Sequence, residues 1–89
     1  MKLVIAIIRD SDAMDVTDAL VENDFRMTRI ASTGGFLRRG NVTLLIGVEA
    51  DALDRLFEVI QNACEAPERP NEHKATIFVV PAEDFIQLG

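Results

Sequence analysis

Apolar positions recur along the chain in two rhythms, one of strands and one of helices. Residues 3–8, Leu-Val-Ile-Ala-Ile-Ile, form an unbroken apolar run rich in β-branched side chains, as a strand buried on both faces requires. Ala13, Val16, Leu20 and Val21 then fall at helical spacing, with Asp15, Asp18 and Glu22 turned outward. Asp10, Ser11 and Asp12 supply the expected N-cap and acidic first turn of this helix, and Asn23 and Asp24 its stop. Residues 26–33 read as a second strand, the most polar of the set, which suits a sheet edge. In the third strand, Val42, Leu44, Ile46 and Val48 share one side, and Thr43, Leu45 and Gly47 the other. A second helix, capped by Asp51, carries Leu53, Leu56, Phe57, Ile60, Ala63 and Cys64 at helical spacing, the clearest amphipathic pattern in the chain. Residues 66–72 are a proline-punctuated connection to a fourth strand over 75–80, which Pro81 ends. A tail over 82–89 follows, with one helical turn expected around 83–85.

The order βαββαβ predicts an α+β, ferredoxin-like sandwich within a single domain of residues 1–89. It holds a four-stranded antiparallel sheet with both helices on one face. Right-handed crossovers place the first and third strands side by side in the centre. Val4, Ala6, Ile8, Leu45, Phe78 and Val80 are assigned to the helix-free face. That face needs a cover which no further element of the chain supplies, and self-association is the economical one.

At 48% apolar and 27% charged residues, the composition is that of a soluble globule. No apolar run approaches the ~20 residues of a membrane span. The opening run is too short and lacks the cleavage site of a signal peptide, so a cytoplasmic protein is expected. The single Cys64 excludes an internal disulfide. A net charge of −6 argues against non-specific binding to nucleic acid. Charge distribution adds more. Residues 25–48 contain none of the fifteen acidic residues but four of the nine basic ones, Arg26, Arg29, Arg38 and Arg39. The hairpin tip, residues 34–40, is longer than the two to five residues such a turn ordinarily takes, and sets Phe36, Leu37, Arg38 and Arg39 between glycines. Glycines let backbone N–H groups approach an anion, arginines add forked donors, and an exposed aromatic offers a face to a base. The competing reading is a long hairpin with a solvated tip. Arg26 and Arg29 differ in parity, so at most one of them lines a given cleft.

Thr33-Gly34-Gly35-Phe36-Leu37, then Gly40-Asn41, the opening Met1-Lys2-Leu3 and the βαββαβ order together carry a likeness. The chain resembles the cyclic-di-AMP receptor family of P-II-like signalling proteins. The likeness extends to Asn23, Phe25-Arg26, Thr28, Gly47, Phe78-Val79, Pro81, Phe85 and Gln87. It implies a bacterial homotrimer that binds cyclic di-AMP, or a related adenine nucleotide, between subunits, without catalysis, and signals to a regulatory target protein through its loops. It implies that Arg26, Met27 and Thr28 approach one adenine and phosphate. It further implies that Gly35, Phe36 and Leu37 enclose the nucleotide, that Asn41 and Gly47 line the cleft, and that Gln87 closes it. Asp24 departs from the Asn of those receptors, and the connection over 64–74 is shorter than their second long loop.

Other chemistry is weaker. His73 has no Cys or His neighbour in sequence, which makes it a poor metal ligand, and no metal or cofactor is expected. Nothing sets a base beside Cys64 for nucleophilic catalysis. An acylphosphatase-like enzyme would need an arginine phosphate cradle after the first strand, where Arg9-Asp10-Ser11-Asp12 is too acidic. Three function classes remain, in descending order. They are a trimeric nucleotide sensor, a trimeric protein that docks on a partner by its loop alone, and a small enzyme using the subunit cleft. An acid-free hairpin favours the first, because a protein partner does not require every carboxylate to be absent.

Overall fold

The computed structural model of the chain describes residues 1–30, 40–67, 72–83, 86 and 88. Strand β1 (Lys2–Arg9) lies at the centre of one antiparallel sheet, as the buried apolar run demands. It pairs on one side with β3 (Asn41–Val48), from Lys2↔Val48 to Arg9↔Asn41. On the other side it pairs with β4 (Ala75–Pro81), from Lys2↔Pro81 to Ile8↔Ala75. The polar β2 (Met27–Ile30) takes the far edge, against β3, so the order is β2-β3-β1-β4. Arg26 precedes this strand, and the remainder of the expected second strand, 31–33, lies outside the described residues. Helices α1 (Ala13–Glu22) and α2 (Leu53–Ala63) complete the α+β fold.

The core lies between sheet and helices. Val4, Ala6 and Ile8 join Val42, Leu44, Ile46 and Val48 under Ala13, Val16, Leu20, Leu56 and Ile60. This corrects the assignment of Val4, Ala6 and Ile8 to the helix-free face. A run that is apolar at every position carries no parity signal, and only pairing decides which alternate residues meet the helices. Leu3, Ile5 and Ile7 take the opposite face instead. There they stand in rows with Gly47 and Val80, Leu45 and Phe78, and Thr43 and Thr76. The expected places of Leu45, Phe78 and Val80 hold. Phe78 is 53% exposed and Val80 38%, so the β4 side of the apolar helix-free face is open among the described residues, while Leu3, Ile5, Ile7 and Leu45 are half-buried. Val21, counted with the apolar side of α1, projects outward at 62% exposure.

Neither expected cap forms. Each helix is entered through a 3-10 turn, Asp10–Asp12 before α1 and Ala50–Ala52 before α2, and neither Asp12 nor Asp51 makes a side-chain cap bond. Asp12 is already helical in backbone, so its carboxylate turns inward. Its Oδ2 accepts from Arg9 Nε at 2.8 Å, and its Oδ1 accepts from the Glu65 N–H at 3.3 Å. Arg9 also donates to the Glu65 carbonyl, so one clasp joins the end of β1, the start of α1 and the end of α2. The other end of α1 stops as expected. Asp24 takes the left-handed conformation, φ 62°, its N–H reaches the Val21 carbonyl at 3.1 Å and that of Phe25 reaches Leu20 at 2.9 Å. These two bonds form a Schellman motif, with Phe25 and Leu20 buried together beneath it. Among the described residues no helix is long and apolar enough to cross a membrane.

Candidate functional site

The antiparallel register gathers four of the expected ligand residues, Arg26, Met27, Thr28 and Gly47, at one end of the β2–β3 pair. Thr28 lies opposite Leu45 and Met27 opposite Ile46, so one further step along the same register sets Arg26 beside Gly47. Thr28, Leu45 and Gly47 share the helix-free face, where Thr28, Gly47 and the adjoining Arg26 are all exposed. Arg26 has no ion-pair partner among the described residues, which leaves its guanidinium free on a chain of net charge −6. Arg29 instead faces the helix side opposite Leu44, and its Nη2 lies 3.8 Å from Asp10 Oδ1. Arg29 is thus turned away from Thr28, and continuing the alternation by one residue puts the exposed Arg26 on the side of Thr28.

Gly47 makes this corner accessible. A Cβ built there meets only Met1 Sδ, at 4.0 Å, so no described group of the same chain requires the glycine. A missing side chain within a strand, with no reason among the described residues, leaves room for a group from outside. Met27 lies differently. It packs against the core on the helix side, so only its backbone adjoins the Thr28 face.

Asn41 opens β3, half-buried and paired with Arg9. Gly47 lies six residues further along the strand, about 20 Å at strand rise, so the two mark opposite ends of one stripe. The stripe's beginning is fixed by Gly40, whose φ of 91° suits glycine alone and whose carbonyl accepts the Asp10 N–H at 2.6 Å. Gly35, Phe36, Leu37 and Gln87 lie outside the described residues, as do Arg38, Arg39 and most of the expected turn at 83–85.

Two further residues carry no obvious signal in the sequence. Arg55, in the first turns of α2, donates from Nη1 to the Asn23 carbonyl at 3.1 Å and stacks over the Phe25 ring at 4.5 Å. It thus holds the turn that delivers Arg26, from a position 32 residues away that no local pattern reveals. Its other side borders a groove of about 420 Å³ between the helices, with Ala19, Asn23, Glu58, Val59, Asn62 and Ala63. None of the expected ligand residues that are described, Arg26, Met27, Thr28, Asn41 and Gly47, lines that groove. The second is Thr43, midway along the stripe, whose Oγ1 is buried without a hydrogen-bond partner among the described residues. Alternation with Leu45 and Gly47 marks its face but not its isolation.

The rest of the titratable chemistry is structural. Burial pushes the Cys64 thiol up from its ordinary range, and the Asp12 carboxylate adds to this against the opposing pull of Arg9 and Lys74. A protonated, buried thiol is a poor nucleophile. Among the described residues no group of three His, Cys, Asp or Glu could hold a metal ion.

A family model described as "Cyclic-di-AMP receptor" matches residues 1–72. A solved structure of a functionally unknown protein from Pediococcus pentosaceus ATCC 25745 is similar over 98% of this chain and 96% of that one, at 36% identity and a TM-score of 0.76.

Proposed function

The chain belongs to the cyclic-di-AMP receptor family, and we propose that it is a bacterial, cytoplasmic, homotrimeric signal-transduction protein. It binds cyclic di-AMP or a related adenine nucleotide in clefts between subunits, and it acts without catalysis, metal or cofactor. The family match over residues 1–72 carries this reading. The exposed corner of Arg26, Thr28 and Gly47 supports it with a free cation, a hydroxyl and an open backbone approach beside an apolar face. Phosphate takes the guanidinium, and the adenine takes the hydroxyl and the apolar wall. Met27 contributes backbone, Asn41 meets the ligand at the far end of the stripe, and Gly35, Phe36, Leu37 and Gln87 close over it. The uncovered face around Ile5, Leu45 and Phe78 packs against neighbouring copies, which brings the stripes to the subunit clefts. Ligand reshapes the hairpin of residues 34–40, and a target protein reads the change.

A thermal-shift panel of cyclic di-AMP, cyclic di-GMP, ATP, ADP and AMP tests the ligand. A nucleotide at a hundred times its Kd adds about 2.7 kcal/mol if only the folded assembly binds it. Light scattering coupled to size exclusion, at micromolar protein, tests the trimer. A panel without any shift refutes the sensor, and a stable monomer refutes the clefts.

A further inference from the structure

We infer that Thr43 is a further ligand-binding residue, whose hydroxyl bonds the polar edge of the bound adenine nucleotide, at base or ribose. This rests on the nucleotide-binding reading above and adds to it a residue that neither motif nor family match marks. Thr43 is 5% exposed, and its Oγ1 has no hydrogen-bond partner among the described residues. A threonine hydroxyl offers one donor and two acceptor sites, and most such groups, once buried, are satisfied. This one is not, and at that burial bulk water does not make good the loss.

Its position says what can. Thr43 stands in register between Ile7 and Ile30 on the helix-free face. Along β3 it is two residues from Asn41, about 7 Å at strand rise. Across to β2 it is the diagonal neighbour of Thr28, which lies opposite Leu45, and same-face diagonals are about 7–8 Å apart. A molecule that touches both Asn41 and Thr28 therefore passes over Thr43. Ile30, opposite Thr43 and 39% exposed on the edge strand, flanks it on the β2 side.

The test compares Thr43→Val, which keeps the shape and removes the hydroxyl, with Thr43→Ser, which keeps the hydroxyl. Cyclic di-AMP is titrated by calorimetry into each full-length protein, and ligand-free stability is read by urea unfolding. The expected result is a two- to tenfold weaker Kd for Thr43→Val, the worth of one neutral hydrogen bond. Its ligand-free stability stays equal or rises, since an unsatisfied group has gone, and Thr43→Ser binds within about twofold of wild type. If wild type binds and Thr43→Val binds equally well, Thr43 has no such role while the sensor stands. If Thr43→Val loses ligand-free stability or weakens the oligomer in place of ligand affinity, the hydroxyl serves the fold or a second copy, and the inference is overturned. If wild type itself binds no cyclic di-AMP, the functional reading falls and this role falls with it.

Discussion

Replacing Asp12 with Ala removes the anchor at which three elements meet. The carboxylate is almost fully buried, accepts from Arg9 at 2.7–2.8 Å and from the Glu65 N–H at 3.3 Å, and leaves Arg9 about one-quarter exposed. Hydrogen bonds to a charged group contribute about 1.5–3 kcal/mol, and the longer bond to Glu65 less. Breaking a fully buried pair on one side costs about 3–5 kcal/mol, most of it the stranded charge. Arg9 is exposed enough to regain water and keeps the Glu65 carbonyl, so the expected loss is about 2–4 kcal/mol. Against the about 5–15 kcal/mol of a typical domain, this is a large part of the whole. Urea unfolding followed by circular dichroism reads the change, at matched protein concentration because assembly adds to apparent stability. Asp12→Asn keeps the shape and an acceptor for Glu65, so it isolates the charge and should retain most of the loss. In a cycle with Arg9→Met, the double variant should lose less than the two singles added, because neither charge is then left alone. A loss below about 1 kcal/mol for Asp12→Ala would place the clasp among exposed ion pairs and refute the reasoning.

Asp24→Gly should stabilise by about 0.5–1 kcal/mol, since the left-handed conformation costs a non-glycine residue more than glycine loses in freedom; a neutral or negative change in urea melts would contradict this. Cys64 gives a pH signature. Its raised folded pKa keeps the proton above the range, about 8.5, where the unfolded thiol releases it, so stability falls as pH climbs beyond that point. Melts at pH 7 and pH 10 should show the slope, and Cys64→Ala should flatten it. Leu45→Glu sets a carboxylate in the helix-free face and should dissociate or aggregate the assembly in light scattering, at a cost of several kcal/mol; an unaltered oligomer would take Leu45 out of the interface. Phe36→Ala should weaken cyclic di-AMP binding by roughly 1–3 kcal/mol and do so equally at high salt, if the ring stacks on adenine. Unchanged affinity, with Arg38→Ala and Arg39→Ala losing theirs as salt rises, would make the hairpin an anion collector.

What the sequence disclosed, and what it withheld, divides by the range of the forces involved. The helix faces, Val21 apart, the stop at Asn23-Asp24 and the edge position of a polar second strand rest on local spacing and were legible. The face of Val4, Ala6 and Ile8 was not, because β1 is apolar throughout and its parity is settled by partners in β3 and β4. The caps failed for a related reason. Asp12 carries the right side chain for an N-cap, yet an arginine three residues back and the end of a distant helix compete for the same carboxylate and win by burying it. The candidate site shows the same split. The Thr-Gly-Gly-Phe-Leu run identifies a family because its residues are contiguous, but the corner that a ligand would meet is made by register. Only the pairing of Thr28 with Leu45 brings Arg26 to Gly47, separates Arg29 to the other face, and leaves Thr43 buried between Asn41 and Thr28. Arg55 extends this reasoning to the helix layer. It reaches from α2 to the Asn23 carbonyl and the Phe25 ring, so a shift of Arg26 toward a phosphate pulls on a contact that lies on the far side of the sheet. A response to ligand at the proposed corner therefore need not be confined to the hairpin, since Arg26 and helix α2 are tied through one turn of three residues, Asn23 to Phe25.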